Sequence, residues 1–181
     1  MKRKFFLFLY YCFAIHLPIS GTRMGRIINS KSIRYKICRN IFKYCGKNVN
    51  IEKGARFGDG SELEIGDNSG IGVNCQVPYD IKMGTDIMMG PNCFILSQNH
   101  DFSRTDIPMR QQGFKERSRT TIEDDVWIGR DVLMTPGRTI KRGTIIGAKC
   151  LLCKDFPEYS IVGGNPSRLI RNRVEDYSKS K

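Results

Sequence analysis

Apolar residues recur in this chain at a spacing of six, through Ile65, Ile71, Val77, Met83, Met89 and Ile95, and again through Ile122, Ile128, Met134, Ile140, Ile146 and Leu152. A helix needs spacings of three and four and a lone amphipathic strand needs two, so a strict six excludes both as the repeating unit. Six residues make one short strand and one turn. Most hexads follow the apolar residue with a small or acidic one, as in Ile65-Gly66-Asp67-Asn68. Glycine or asparagine at the turn supplies backbone angles that other residues resist. Three such strands close a triangular coil of about eighteen residues, and stacked coils make a parallel β-helix.

The large apolar residue of each hexad fills the prism, and the fifth residue must be small to fit beside it. Ser69, Cys75, Cys93, Val126, Val132, Thr144 and Cys150 stand there. Cys150-x-x-Cys153 is then a by-product of the repeat rather than half of a metal site, because no second pair or histidine lies near it. Earlier hexads open at Ile51 and Phe57, offset from the rest by two residues at Leu63–Glu64.

The register breaks between Ile95 and Ile122, which are 27 residues apart. Residues 97–121 are polar and turn-rich and are expected to leave the coil as a loop, the place where a rigid scaffold carries function. After Leu152 the pattern ends. Asn165 as N-cap with Pro166 behind it predicts a short closing helix in residues 164–181. The β-helix itself is expected over 46–163.

Residues 1–45 form a different kind of segment. The first fifty positions hold eleven Lys or Arg and no acid, so the net charge of +12 belongs to this arm and the remainder is close to neutral. Lys2-Arg3-Lys4 before the run from Phe5 to Ile15 looks like the start of a signal peptide. The residues after it offer no small-x-small cleavage site, and large aromatics dominate the run. A helical arm is expected, either lying on an anionic membrane through residues 2–20 or folded back over the open first coil. No apolar run reaches the roughly 18–20 residues of a membrane span. Seven cysteines at irregular spacing argue against a disulfide framework, so the thiols are expected reduced and the protein cytoplasmic.

The hexads, His100 at the mouth of the extruded loop, Val126-Trp127-Ile128-Gly129 and Gly163-Gly164-Asn165-Pro166-Ser167-Arg168 together resemble the hexapeptide-repeat acyltransferases. The match covers residues 46–173 and is most similar to the maltose and galactoside O-acetyltransferase branch, with the flavour of the enzymes of capsule and exopolysaccharide assembly. The resemblance implies a left-handed β-helix, a homotrimer, acetyl-CoA as donor and a saccharide acceptor, and His100 matches the catalytic histidine. It places donor binding at Trp127, Gly129, Arg130, Ala148, Lys154, Arg168 and Arg171: main chain for the pantetheine amides, cations for the phosphates, and Trp127 over the thioester arm. The sugar-binding asparagine of the maltose and galactoside enzymes falls on Gly72, and their N-terminal acceptor-binding segment has no counterpart. A free disaccharide is therefore not the expected acceptor; a lipid-linked saccharide is.

The residues support that chemistry. A sugar hydroxyl is a poor nucleophile and needs a base, and imidazole is the side chain that exchanges protons near neutral pH. His100 is one of two histidines; His16 lies in the arm and reads as interfacial or structural. Asn99 and Asp101 flank His100 and either orient its ring or cap the loop. Acylation of an amino sugar and a β-helix that only binds or trimerises are the alternatives. A zinc-dependent carbonic anhydrase on this fold needs three histidines and is excluded, so no metal is expected. A nucleic-acid role rests on the arm's charge alone and is not expected.

Overall fold

The computed structural model describes residues 2–175, and in it the six-residue period becomes a prism with three faces. The first face stacks β1 (Tyr44–Cys45), β3 (Glu64–Ile65), β5 (Lys82–Met83), β8 (Thr121–Ile122) and β11 (Thr139–Ile140). The second carries β2 (Asn50–Ile51), β4 (Gly70–Ile71), β6 (Met88–Met89), β9 (Trp127–Ile128), β12 (Ile145–Ile146) and β14 (Ser160–Gly163). The third carries β7 (Phe94–Ile95), β10 (Leu133–Met134) and β13 (Leu151–Leu152), prolonged by parallel bridges through Arg56 and Gln76. Every pairing between coils is parallel. This is the β-helix that the period predicts.

Register records each irregularity. Glu64 pairs with Lys82, eighteen residues on, whereas Tyr44 pairs with Glu64 across twenty. The two extra residues lie in the turn through Gly58 and Gly60, which is the offset seen in the sequence at Leu63. Lys82 pairs with Thr121, thirty-nine residues on, so twenty-one residues leave the coil there.

Each two-residue strand points its first side chain outward and its second into the prism. On the second face the inward column is Ile51, Ile71, Met89, Ile128, Ile146 and Val162, all fully buried except Met89, which is half-buried. The fifth-position residues are buried as their size requires: Ser69, Cys75, Cys93, Val126, Val132, Thr144 and Cys150. They also join coil to coil. Ser69 Oγ donates to Gly84 O at 2.7 Å and accepts from Ile87 N at 3.0 Å, and the Cys93 thiol donates to Gly129 O at 3.1 Å. Corner residues Asn68, Asn74, Asp86, Asn92, Asp125 and Asp131 have φ of 55–60°, a left-handed conformation that these two residue types tolerate. Their side chains then ladder, Asn68 Nδ2 to Asp86 Oδ1 and Asn92 Nδ2 to Asp131 Oδ1, both 3.0 Å. Ile128→Ala, which empties part of the prism, is expected to lose about 2–5 kcal/mol in urea unfolding. Lys82→Ala on the outer surface is expected to stay within about 0.5 kcal/mol of wild type.

The arm forms α1 (Lys2–Cys12), a 3-10 turn at Ala14–His16, α2 (Arg23–Ile28) and α3 (Ser30–Cys38). It folds back over the first coil. Tyr10, Ala14, Ile15, Leu17, Ile37 and Cys38 join one continuous core with Ile51, Ala55 and Phe57. The Tyr10 ring lies 4.6 Å from that of Phe57, its hydroxyl donates to Ala55 O at 2.7 Å, and burial pushes its phenol pKa up. His16 ends the 3-10 turn and is exposed. The helices cap the prism. Among the described residues no helix is long and apolar enough to cross a membrane.

The other end departs from expectation. Asn165 and Pro166 do not start a helix; they sit in the turn of an antiparallel hairpin between β14 and β15 (Arg168–Asn172). The last coil presents an open edge, and β15 returns to pair with it, which a docked helix would not do. A helical turn begins at 173–175, and the rest of the segment expected as helix lies outside the described residues.

Candidate active site

His100 stands on the excursion between β7 and β8, which is itself a small hairpin. The Asp101 amide donates to Gly113 O at 3.1 Å, the Lys115 amide to Asn99 O at 2.9 Å and Gln98 Nε2 to Lys115 O at 2.9 Å. Further out, Gln112 ties the lobe together through Arg104 and Ile107. The returning leg is anchored to the prism by Arg117 on Asp80 at 3.2 Å and by Arg119 on Glu64 at 3.1 Å.

The His100 ring has two neighbours. It stacks on Phe114 with centroids 4.4 Å apart, and its Nδ1 lies 3.3 Å from Gly113 O. A carbonyl only accepts, so this contact puts a proton on Nδ1, and in the neutral ring Nε2 then carries the free lone pair. A tautomer held this way is what a general base requires. The side chains of Asn99 and Asp101 make no hydrogen bond to the ring among the described residues. The Asp101 carboxylate instead accepts from the Ser103 amide at 3.0 Å, which holds its pKa below the usual value. Orientation falls to Gly113 and Phe114, which the sequence did not mark. Gly113 has φ of 77° with open space where a Cβ would be, so backbone conformation rather than crowding selects glycine there.

Of the residues expected to hold the donor, Trp127 and Arg171 lie on the second face and Gly129, Arg130 and Ala148 at its corner, whereas Lys154 follows β13 and lies between the third face and the first. Trp127 points outward and is 50% exposed. Across the rungs its register neighbours are Met88, Ile145, then Ile161 and Arg171. Arg171 is thus three rungs from Trp127, about 14 Å. Gly129 and Ala148 stack at the corner beside that face, and a Cβ on Gly129 would meet Ala148 N at 2.6 Å. The Gly129 amide is already given to Ile146 O at 2.8 Å, whereas the Arg130 and Ala148 amides carry no hydrogen bond among the described residues. At Gly129 the N–H is committed and the absent Cβ is what shapes the corner, while Arg130 and Ala148 leave their N–H groups open to a ligand. Lys154 and Arg168 flank a contacting pair, Cys153 N to Ser167 Oγ at 3.3 Å, so two cations share one end of the prism.

Cys150 is buried and its thiol pKa is raised by burial; Cys153 lies beside Ser167 Oγ, which lowers its own. No group of three or more His, Cys, Asp or Glu that could hold a metal is present among the described residues.

One chain does not bring everything together. The His100 loop leaves from the third face and returns to the first, while Trp127 and Arg171 lie on the second. Among the cavities on the described surface, two bear on the site. Gly72 lines a groove of about 260 Å³ with Asn50, Glu52 and Met88. A Cβ at Gly72 would meet Gly90 O at 2.3 Å, so this corner excludes a side chain. The larger cavity, about 580 Å³, is lined by Tyr11, Arg56, Gln76, Tyr79, Phe94 and Gln98 among others. Gln98 is two residues from His100, a reach of at most about 7 Å. The Arg56 guanidinium makes no hydrogen bond or ion pair among the described residues.

No protein-family model matches the chain. The galactoside O-acetyltransferase of Escherichia coli strain K12 is 29% identical over 148 residues, 81% of this chain and 71% of that protein. A Saccharomyces cerevisiae protein classed with the acetyltransferases is 32% identical over 149 residues, 81% of this chain and 73% of its own length. Among solved structures, a galactoside acetyltransferase in complex with coenzyme A shares the fold, with a TM-score of 0.76 at 24% identity over 98% of this chain and 81% of that one.

Proposed function

The chain belongs to the hexapeptide-repeat acetyltransferases, in the branch of the galactoside O-acetyltransferases, and from that membership we propose that His100 drives direct transfer of an acetyl group from acetyl-CoA to a saccharide hydroxyl. The observation that carries this reading is the tether of Nδ1 to Gly113 O, which leaves Nε2 as the proton acceptor. Nε2 takes the hydroxyl proton as the oxygen attacks the thioester carbonyl. The tetrahedral intermediate collapses, the C–S bond breaks, and the imidazolium returns its proton to the departing thiolate. Backbone N–H groups stabilise the oxyanion in such a step.

Acetyl-CoA would lie along the second face. Trp127 covers the thioester arm, the Arg130 and Ala148 amides meet the pantetheine, and Lys154, Arg168 and Arg171 face the phosphates, where fixed cations bind best. The acceptor would approach through the larger cavity, whose Tyr11, Tyr79 and Phe94 offer flat faces to a sugar ring and whose Arg56 offers a donor. With Gly72 in place of a sugar-binding asparagine, a larger or lipid-linked saccharide of capsule or exopolysaccharide assembly fits better than a free disaccharide. Cytoplasmic acetyl-CoA would supply the donor.

The separation of His100 from the donor face supports sites shared between neighbouring subunits of a closed trimer, each site combining His100 of one chain with Trp127 of the next. Complementation tests this. His100→Ala and a donor-face variant, Trp127→Asp with Lys154→Glu, are each expected to be inactive alone. Co-assembled in equal amounts they are expected to recover about a quarter of wild-type activity by random assortment around the ring. No recovery from verified mixed assemblies would place each site within one chain. A mass gain on incubation with acetyl-CoA alone, marking an acetyl-enzyme, would overturn direct transfer.

A further inference from the structure

We propose that the outer face of the N-terminal arm docks on an anionic bilayer surface. The arm has two faces with separate tasks. Tyr10, Ala14, Ile15 and Leu17 turn inward and are buried in the cap. Phe5 and Phe8 turn outward, 62% and 66% exposed, and Phe13 follows at 49%. Residues three apart on a helix share one side, so Phe5 and Phe8 form a stripe. On α2, Met24 and Ile27 repeat the arrangement at 56% and 69% exposure. Singly exposed apolar residues need no explanation, but two stripes within one short arm do.

The charges identify the partner. Lys2 and Lys4 border the first stripe, and Arg23 and Arg26 border the second. All four are exposed, and none is hydrogen-bonded or ion-paired through its side chain among the described residues. Arg3, by contrast, is held by Asp59. No acid occurs in the first fifty residues. Protein–protein interfaces are poor in lysine and in charge at their centres. A bilayer interface takes phenylalanine below the headgroups and cations among them. At eleven residues, α1 spans about 16 Å, enough to lie in that interface and too short to cross it. Helices that cap the prism on one side and meet lipid on the other would hold the enzyme at the membrane by its first coil.

Sedimentation of the full chain with vesicles tests this, comparing phosphatidylcholine alone with phosphatidylcholine carrying phosphatidylglycerol. Binding is expected only to the anionic vesicles and is expected to weaken as salt rises. Phe5→Glu with Phe8→Glu is expected to weaken it at least tenfold, and each of Lys2→Glu and Lys4→Glu at least about fivefold. Melting temperatures should not change, since these side chains lie outside the core. Absence of wild-type binding to anionic vesicles at low salt, or equal binding by the phenylalanine variant, would overturn the proposal. So would dissociation of an oligomer by that variant in light scattering, which would make the stripe a contact between copies.

Discussion

His100→Ala is expected to lower turnover by about 10²–10⁴-fold, the usual contribution of a positioned general base, while the affinity for CoA stays within about twofold of wild type. The separation follows from placement, because the imidazole is on the extruded hairpin and Trp127 and Arg171, proposed for the donor, are on the second face. Single-turnover rates with saturating acetyl-CoA, alongside calorimetry of CoA binding, measure both halves. A variant that retains most wild-type turnover on a verified acceptor would remove His100 from the chemistry. Phe114→Ala should act on the same step more weakly: it removes the stacked ring that fixes the imidazole plane but leaves the Gly113 carbonyl. A fall in kcat with little change in KM for either substrate is its expected signature.

What could be read from the residues depended on how local the cause was. The hexad fixes strand, turn and inward side chain within six positions, so the coil, its buried fifth position and the two-residue offset at Leu63 all emerge from spacing alone. His100 is legible because histidine is scarce and the loop interrupts a strict register. Its orienting partner is not. Gly113 acts through a carbonyl that every residue carries, thirteen positions away, and only the pairing of the two loop legs brings it to the ring. Asn165-Pro166 is ambiguous for another reason: the same dipeptide opens helices and occupies turns, and the open edge of the last coil decides between them. The arm was undecidable because its apolar residues occupy both sides of α1. Only the packed structure separates Tyr10, which caps, from Phe8, which faces out.

Arg34 is the residue on which attachment of the arm to the prism should depend most. It is fully buried, and its guanidinium meets five partners: Ile51 O, Leu17 O and Pro18 O at 3.1 Å each for the latter two, Ser20 Oγ at 2.7 Å and Glu52 at 3.2 Å. Three of these are backbone carbonyls from two segments that no strand ladder joins, so one side chain substitutes for secondary structure. Arg34→Met would keep the volume and strand those acceptors, with an expected loss of about 3–5 kcal/mol, the cost of breaking a buried charged network from one side. Arg34→Lys should recover little, because one ammonium cannot span the fork. The partner carboxylate adds a pH signature. Burial pushes the Glu52 pKa up, but hydrogen bonds from Ser20 and Asn50 and the charge of Arg34 outweigh that and hold it below its ordinary value. A carboxyl depressed on folding contributes stability above its unfolded pKa of about 4.3 and loses it as pH falls through the folded value. Wild type should therefore lose stability below about pH 4 more steeply than Glu52→Gln, although the variant starts lower at pH 7. Urea melts from neutral to acid pH measure both effects. A loss under about 1 kcal/mol for Arg34→Met, or parallel acid limbs for wild type and Glu52→Gln, would mean that the apolar cap of Tyr10, Ile15 and Leu17 holds the arm without this network.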